Sequence, residues 1–245
     1  ASGYEVTYYK NNKAYTKNVT STSFKQTGLK AATTQKYKVR AYRVVGGKKV
    51  YGKTSATLTT TTAPLTTKIS TSKVTSNSCK LTFKKVSGAT GYRVQQYKNN
   101  KWVTVKMTTK TSVTVDKLPS GTNVKFRAQA YREKAGKKVY GASSSTVKVT
   151  TIVGKPSLSL KKGTKKAYLS WKKVTGADGY DLYVSAKKDK NFKKIQAKVT
   201  SKTTKYTAIK LKSNKTYYFK IRAYKVVNGK KVYGSYSKVV GIKTK

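Results

Sequence analysis

The sequence has no histidine, a single cysteine and few acidic residues, and each shortage excludes a class of chemistry. Without histidine, Ser-His-Asp and Cys-His catalysis and histidine-ligated metal sites are excluded. Cys79 has no partner for an intrachain disulfide or a thiolate cluster. Six acids leave little for a carboxylate-bound metal or a catalytic carboxylate pair. They are Glu5, Asp116, Glu133, Asp178, Asp181 and Asp189. We therefore expect no enzyme, no cofactor and no metal.

Positive charge is what the sequence has in excess. Its 56 Lys and Arg residues against 6 Asp and Glu give a formal net charge of +50 over 245 residues. An apolar fraction of 36% with so high a charge is typical of disorder, so residue patterns must decide whether the chain folds. Only 6 of these cations are arginine. Because lysine acts as a hydrated point charge, sequence-specific nucleic-acid recognition is not expected, and no apolar run predicts membrane insertion.

Two short motifs recur and show that the chain is a tandem array. The motif Gly-Lys-Lys-Val-Tyr-Gly places its tyrosine at Tyr51, Tyr140 and Tyr233, which are 89 and 93 residues apart. A Gly-Tyr pair recurs every 88 residues. Its tyrosines are Tyr4, Tyr92 and Tyr180. Both markers indicate a unit of about 90 residues.

The array divides into one short unit and two full ones. We predict domains at residues 1–62, 63–152 and 153–245, with Pro-containing joints at 63–64 and 154–156. Joints this short predict a semi-rigid rod. The first unit starts almost on its Gly-Tyr marker, so its first two strands are expected to be missing and the chain to be a piece of a longer array.

Alternation of apolar and polar residues favours order over disorder. Tyr37–Tyr42 alternates with a period of two, and the pattern returns at Phe126–Tyr131 and Phe219–Tyr224. Thr, Val and Tyr dominate these runs, as strands prefer. Hairpin turns with positive φ are expected between them. They are Gly46-Gly47, Asn99-Asn100 and Asn228-Gly229. The sequence predicts an all-β chain of immunoglobulin-like β-sandwiches with roughly seven strands each.

The third unit carries the residues that resemble a known family. Trp171 stands on the second strand, Tyr180 opens the third, and Tyr217 follows Leu211 by six residues, as in a tyrosine corner. The chain resembles tandem fibronectin type III modules, in particular the Lys- and Tyr-rich repeats of surface or secreted proteins of Gram-positive gut anaerobes. The resemblance implies a non-catalytic protein that is extracellular or on a bacterial cell surface.

The other units depart from this pattern at single positions. Phe83 stands in place of Trp171, and Gln35 and Val124 stand in place of Tyr217. The Arg-Gly-Asp tripeptide that some family members use to bind integrins is absent from the sequence, so the resemblance does not imply that function here. Cys79, Leu81 and Phe83 are every second residue of one strand and so share a face. Cys79 is therefore predicted to be a small core residue.

Strand alternation assigns residues to the core or to an outer face. In the first unit the residues predicted to face the core are Tyr37, Val39 and Ala41. Those predicted to face water are Lys38, Arg40 and Tyr42. With the hairpins, the outward residues of each unit form a face of cations and tyrosines. The candidate ligand-binding residues are Arg40, Tyr42, Lys48, Lys49, Tyr51, Arg93, Tyr97, Trp102, Arg127, Tyr131, Lys137, Lys138, Tyr140, Arg222, Tyr224, Lys230, Lys231 and Tyr233.

These faces predict anionic partners. Ammonium groups attract phosphate, sulfate or carboxylate, tyrosine rings stack on ligands, and tandem copies add avidity. The expected partner is an anionic polysaccharide or cell-wall polymer, with non-specific nucleic-acid binding in vitro. Other domains of a longer parent chain are also expected, and the chain is predicted to be a monomer rather than an oligomer.

Three interpretations stay open at this point. In the first, the chain is a spacer and adhesion array. In the second, the chain is an inert spacer within a multidomain glycan-degrading or surface protein. Arg40 and Arg222 would then only pair with Glu5 and Asp181. Trp102 would pack over the sandwich rim instead of stacking on sugar. In the third, the incomplete first unit recruits strands from another chain, and the protein is a structural subunit.

Overall fold

The computed structural model describes residues 1–10 and 13–245. All regular secondary structure in that part of the chain is β-strand. The prediction of an all-β chain is confirmed. Strand-favouring Thr, Val and Tyr supply most of these segments, and successive side chains point to opposite faces. The strands form five sheets within the described residues, and each strand pair whose register is known is antiparallel.

The first repeat, residues 1–62, forms one five-stranded sheet. Its strands are β1 Gly3–Lys10, β2 Lys13–Val19, β3 Thr34–Val45, β4 Lys48–Tyr51 and β5 Leu58–Thr61. They lie in the order β2-β1-β3-β4, and β5 pairs with the first residues of β3. The register places Val6 opposite Val39 and Tyr8 opposite Tyr37, so these residues share one face.

The middle repeat has a three-stranded and a five-stranded sheet. The smaller sheet consists of β6 Ile69–Ser72, β7 Cys79–Phe83 and β10 Ser112–Val115, in the order β10-β7-β6. The larger consists of β8 Gly91–Lys98, β9 Lys101–Thr108, β11 Asn123–Lys134, β12 Lys137–Tyr140 and β13 Val147–Thr150. Its order is β12-β11-β8-β9, with β13 paired to β11.

The third repeat has the same two sheets. The smaller sheet consists of β14 Leu158–Gly163, β15 Lys166–Trp171 and β18 Lys205–Ala208, in the order β14-β15-β18. The larger consists of β16 Gly179–Ser185, β17 Lys193–Lys194, β19 Thr216–Val227, β20 Lys230–Tyr233 and β21 Val240–Lys243. Its order is β17-β16-β19-β20, with β21 paired to β19.

The structure divides into two compact units that differ from the repeats. The first comprises Ala1–Ser70, Thr82–Val113 and Arg127–Thr146. The second comprises Thr71–Leu81, Thr114–Phe126 and Val147–Lys245. Because this division passes through the middle repeat, the domain boundaries at residues 62 and 152 stay a prediction.

The predicted hairpin turns are confirmed. Gly46 and Gly47 have φ values of 54° and 74°, and Asn228 and Gly229 have 50° and 75°. Asn99 and Asn100 have 48° and 59°. These values match the type of two-residue turn whose twist suits a hairpin, and glycine and asparagine tolerate them best.

The core of the third repeat contains the residues that carried the resemblance. Trp171 and Tyr180 are buried with their ring centroids 5.4 Å apart, and the Tyr180 hydroxyl accepts a hydrogen bond from the Val174 amide at 2.8 Å. The Tyr217 hydroxyl accepts a hydrogen bond from the Lys212 amide at 3.1 Å, which is the geometry of a tyrosine corner. The core tryptophan and the corner are thus confirmed.

The inner face of the first sheet is more exposed than its equivalents. Ala128 and Ile221 are fully buried, whereas Val39 at the equivalent position is 39% exposed. The prediction that Val39 lies in a core is therefore wrong. The physical reason is that residues 1–62, as far as they are described, form a single sheet with no three-stranded sheet of their own beside it.

Cys79 is a core residue, as predicted. It lies in β7 and is fully buried. Burial raises the pKa of its thiol to about 11, and the Asp116 carboxylate adds to the effect. A thiol with so high a pKa is not a nucleophile at neutral pH.

Candidate polyanion-binding faces

A tyrosine packs over a glycine at the start of each outer face. A Cβ atom at Gly179 would overlap the Tyr224 hydroxyl and the Val199 carbonyl, and the same holds for Gly91 beneath Tyr131 and Gly3 beneath Tyr42. The recurring Gly-Tyr marker therefore has a steric cause, because only glycine leaves room for the ring on the neighbouring strand.

This packing corrects one prediction. Tyr42 and Tyr131 were expected to face water, but they are only 8% and 5% exposed. Each ring is held between the glycine and the hairpin tyrosine, with centroid distances of 6.0 Å from Tyr42 to Tyr51 and 5.7 Å from Tyr131 to Tyr140. They lie on the outer side of the sheet but are covered there.

Cations and aromatic rings alternate across the outer face of the third repeat. Lys231 Nζ lies 3.8 Å from the centre of the Tyr224 ring, and Arg222 Cζ lies 3.6 Å from that of Tyr233. The next cation, Lys220, lies 4.2 Å from the Tyr236 ring. Such contacts are attractive because the ring face carries negative charge density. We call this row of alternating cations and rings the ladder of the third repeat.

A buried carboxylate joins the ladder to its neighbouring strands. Asp181 is 4% exposed and accepts from Lys194 Nζ at 2.9 Å, Lys231 Nζ at 3.1 Å and the Tyr233 hydroxyl at 2.9 Å. Burial alone would raise the pKa of Asp181, but these three hydrogen bonds outweigh it and lower the pKa. Burial and the bond to Asp181 both raise the pKa of Tyr233.

The middle repeat has a ladder of the same kind, in which glutamine side chains instead of a carboxylate accept hydrogen bonds from the cations. Arg93 Cζ lies 3.8 Å from the Tyr140 ring centre, and its Nε donates to Gln129 at 3.0 Å. Arg127 Cζ lies 4.4 Å from the Trp102 ring, and its Nε donates to Gln95 at 2.8 Å.

Trp102 is held within this ladder. Its ring is half-buried and meets Tyr97 at a centroid distance of 5.3 Å, while Arg127 covers it. This arrangement favours the packing interpretation of Trp102 over a free sugar-stacking ring.

The first repeat completes the pattern. Arg40 Cζ lies 3.7 Å from the Tyr51 ring centre, and Lys49 Nζ lies 4.6 Å from that of Tyr42. Arg40 also forms a salt bridge to Glu5 at 2.7 Å, so that predicted pair is confirmed. The ladder of each repeat therefore consists of cations and rings of β3, β11 or β19 and of the following hairpin. The middle ladder also includes Arg93 of β8 and Trp102 of β9, and the third includes Tyr236.

The other predicted pair, Arg222 with Asp181, is wrong. Arg222 Nη2 donates instead to the Tyr183 hydroxyl at 2.7 Å, and lysines take the Asp181 carboxylate. The two residues are opposite each other in register, but stacking on Tyr233 draws the guanidinium away from the acid.

The predicted site residues thus fall into two groups. Most are brought together in the ladders and contact one another. The tip lysines of the three hairpins remain exposed to solvent. They are Lys48, Lys137 and Lys230.

Sequence reasoning missed two features. Tyr183, Tyr236 and Phe192 extend the third ladder, and their position beside Lys220 and Arg222 depends on strand pairing. A cavity of about 1020 Å³ lined by seven lysines also lies in the first compact unit. Its lining comes from separate segments, so no short motif could have predicted it.

The described residues show neither a metal-binding cluster nor a membrane-spanning helix. Residues 1–10 and 13–245 hold no cluster of three or more His, Cys, Asp or Glu side chains able to bind a metal. The same ranges contain no helix that is long and apolar enough to cross a membrane.

Known structures resemble this chain in fold. A two-domain fibronectin type III segment from chicken tenascin matches with a TM-score of 0.50 and 21% identity, covering 74% of this chain and 99% of that one. The FN1–FN3 domains of chicken CNTN1 give a TM-score of 0.35 and 17% identity over 98% of this chain and 91% of that one. No family model and no curated protein matches. The fold is that of tandem fibronectin type III β-sandwiches.

Proposed function

We propose that this chain is a non-catalytic extracellular spacer and adhesion array that binds anionic polymers, such as a bacterial cell-wall polymer or an acidic glycan. The observation that carries the proposal is the imbalance of charge. Four of the six acids already lie in salt bridges, namely Glu5, Glu133, Asp178 and Asp181. Most of the 56 cations therefore need anions from outside the chain.

The ladders support this role by fixing where the charge lies. Lys231 and Lys49 are held over tyrosine rings, which limits their rotamers. The tip lysines next to them stay in solvent, and Tyr51 keeps 37% of its surface exposed. A cationic row that is already ordered loses less conformational entropy on binding an anionic chain.

The tip lysines test this proposal. The variant K48Q/K137Q/K230Q removes one exposed cation from each hairpin, and the control K84Q/K172Q/K205Q removes three exposed cations elsewhere in the chain. Both lower the net charge equally. We expect the tip variant to elute from immobilised teichoic acid or heparin at clearly lower NaCl than the control, because only it loses contacts at the binding face.

The outcomes separate the proposal from its rival. Equal weakening in both variants would show that only net charge matters. Loss of all wild-type binding at about 0.15 M salt, where the Debye length is about 8 Å, would leave no adhesive role.

An inert spacer within a larger surface or glycan-degrading protein is the second candidate, and the arginines favour it. Arg40, Arg93, Arg127 and Arg222 each lie over a ring and donate to a neighbouring side chain. Their guanidinium groups are thus already engaged within the fold and are less available for two-point recognition of an anion.

A further inference from the structure

A cavity of the first compact unit lies at one end of the first sheet. It is bounded by the end of β1, the start of β3 and the segment 24–30, and its volume is about 1020 Å³. Six of its seven lysines come from the first repeat, and the seventh, Lys134, comes from β11. Ligand pockets typically have volumes of about 300–1,000 Å³, so this cavity has room for several sugar rings.

The charge of this cavity is of one sign. No Asp or Glu is found among the described residues that line it, and none of its seven lysines takes part in a salt bridge of the described chain. Lys134 Nζ donates to Thr34 Oγ1 at 3.2 Å, which is a neutral acceptor. Seven ammonium groups around one cavity repel each other, and a bound polyanion would relieve that repulsion.

The cavity also presents aromatic and amide groups. The Tyr8 and Phe24 rings line it with their centroids 5.9 Å apart, and Tyr15 stacks on Tyr8 at 5.8 Å. Gln26 Oε1 accepts from the Tyr37 hydroxyl at 2.6 Å, which fixes the orientation of this amide. Its NH₂ group is left as a donor, so rings and polar donors lie beside the cations.

We propose that this cavity binds an acidic oligosaccharide, a sugar chain that carries carboxylate or sulfate groups. Lysines supply the attraction to the acidic groups, and the Tyr8 and Phe24 rings supply apolar faces for the sugar rings. The inference rests on the proposed function, because it names the site at which the array holds its anionic polymer most specifically. The cavity is a second site, additional to the exposed tip lysines beside the ladders.

Three exposed cavity lysines allow a direct test. The variant K17Q/K25Q/K36Q is compared with K84Q/K172Q/K205Q, which removes the same charge outside the cavity. Titration calorimetry with a heparin-derived hexasaccharide at about 0.15 M NaCl measures the affinity. We expect the cavity variant to bind about tenfold more weakly than wild type and the control to lose less than about threefold, since three local ion contacts are lost only in the former.

A second measurement uses the wild-type chain and does not depend on the variants folding. The hexasaccharide is expected to protect Lys17, Lys25 and Lys36 from acetylation while Lys84 remains reactive. Uniform acetylation with and without the hexasaccharide would contradict the proposal.

The remaining outcomes distinguish the two claims. Equal affinity in wild type and cavity variant would overturn the cavity and leave the proposed function standing. If inorganic polyphosphate of matched charge displaced the hexasaccharide at equal concentration, the sugar specificity would be wrong. If wild type bound neither the hexasaccharide nor a long acidic glycan, the proposed function would fail as well.

Discussion

At the scale of the residue, the few arginines have a specific structural use. Four of the six lie over aromatic rings in the ladders, whereas lysine supplies nearly all remaining charge. A planar guanidinium can lie flat on a ring and donate several hydrogen bonds in its own plane, whereas an ammonium has no plane with which to stack. Each such contact is worth about 0.5–1 kcal/mol when exposed and about 2 kcal/mol when desolvated. These contacts stabilise the sheets.

Asp181 is the one buried acid of the third ladder. Its position is occupied by Glu5 in the first repeat and by Arg93 in the second, so the three repeats differ in charge at an equivalent site. With three donors around it, the Asp181 carboxylate remains charged although it is buried. It fixes β16 to β17 and β20.

This site predicts a pH dependence of stability. Because the pKa of Asp181 is lowered in the folded chain, its contribution is present above the unfolded value of about 3.9 and is lost as the pH falls through the lower folded value. Asp181→Asn should remove part of this acid-induced loss and lower the free energy of unfolding at pH 7 by about 1–3 kcal/mol. Urea unfolding between pH 2 and pH 7 measures both effects.

The exposed Asp189 provides the matched control. Asp189→Asn should keep the wild-type slope and stability, because Asp189 is exposed and takes part in none of the salt bridges found among the described residues. An unchanged acid slope in Asp181→Asn would mean that the hydrogen bonds to Asp181 do not stabilise the fold.

At the scale of the element, each repeat has a serine between its hairpin strand (β4, β12 or β20) and its last strand (β5, β13 or β21). This serine bonds to the long strand β3, β11 or β19 and so bridges the gap between the two shorter strands. The serine amide donates to the carbonyl of a residue on the long strand, and the amide of that long-strand residue donates back to the serine Oγ. The pairs are Val39 with Ser55, Ala128 with Ser144 and Ile221 with Ser237, with N–Oγ distances of 3.0, 2.9 and 3.1 Å. A Tyr-Gly-x-x-Ser pattern marks all three positions in the sequence.

Ser237→Ala tests this bridge. The substitution leaves the buried Ile221 amide without an acceptor, so we expect the free energy of unfolding to fall by about 1–3 kcal/mol. Ser235→Ala is the control, since Ser235 is exposed, and should change it by less than about 0.5 kcal/mol. Equal effects in guanidinium unfolding would refute the bridging role.

At the scale of the whole molecule, like charge opposes folding. A net charge of +50 on 245 residues makes a compact state repel itself, and salt screens that repulsion. Salt also weakens attractive ion pairs, but the described residues form few of them. The loss of repulsion should therefore exceed the loss of attraction.

We therefore expect salt to stabilise the chain. Raising NaCl from about 0.02 to 0.5 M should raise the thermal midpoint by at least about 2–4 °C, which corresponds to about 1 kcal/mol for a chain of this size. Differential scanning calorimetry measures it, with an uncharged osmolyte at equal osmolarity as the control. A fall with salt would show that the ladders and the Asp181 pairs outweigh the repulsion.

Much of the fold could be predicted from local signals. Period-two alternation predicted β3, β11 and β19, and the Gly-Gly and Asn-Gly pairs predicted their turns, because both depend on neighbouring residues alone. The candidate faces were predicted only in part. The burial of Tyr42 and the partners of Arg222 depend on residues that lie far apart in sequence and adjacent in the sheet.

The sequence by itself determined the repeats, the strand period and the charge, since all three are properties of residue order and composition. Tertiary structure decided which of those charges have partners. Strand register brings Asp181 to Lys194 and Lys231. The fold also brings six lysines of residues 10–38 and Lys134 around one cavity, and no acid is among the described residues that line it. The physical reason is that electrostatic energy depends on distances in space, which pairing across strands sets and spacing along the chain does not.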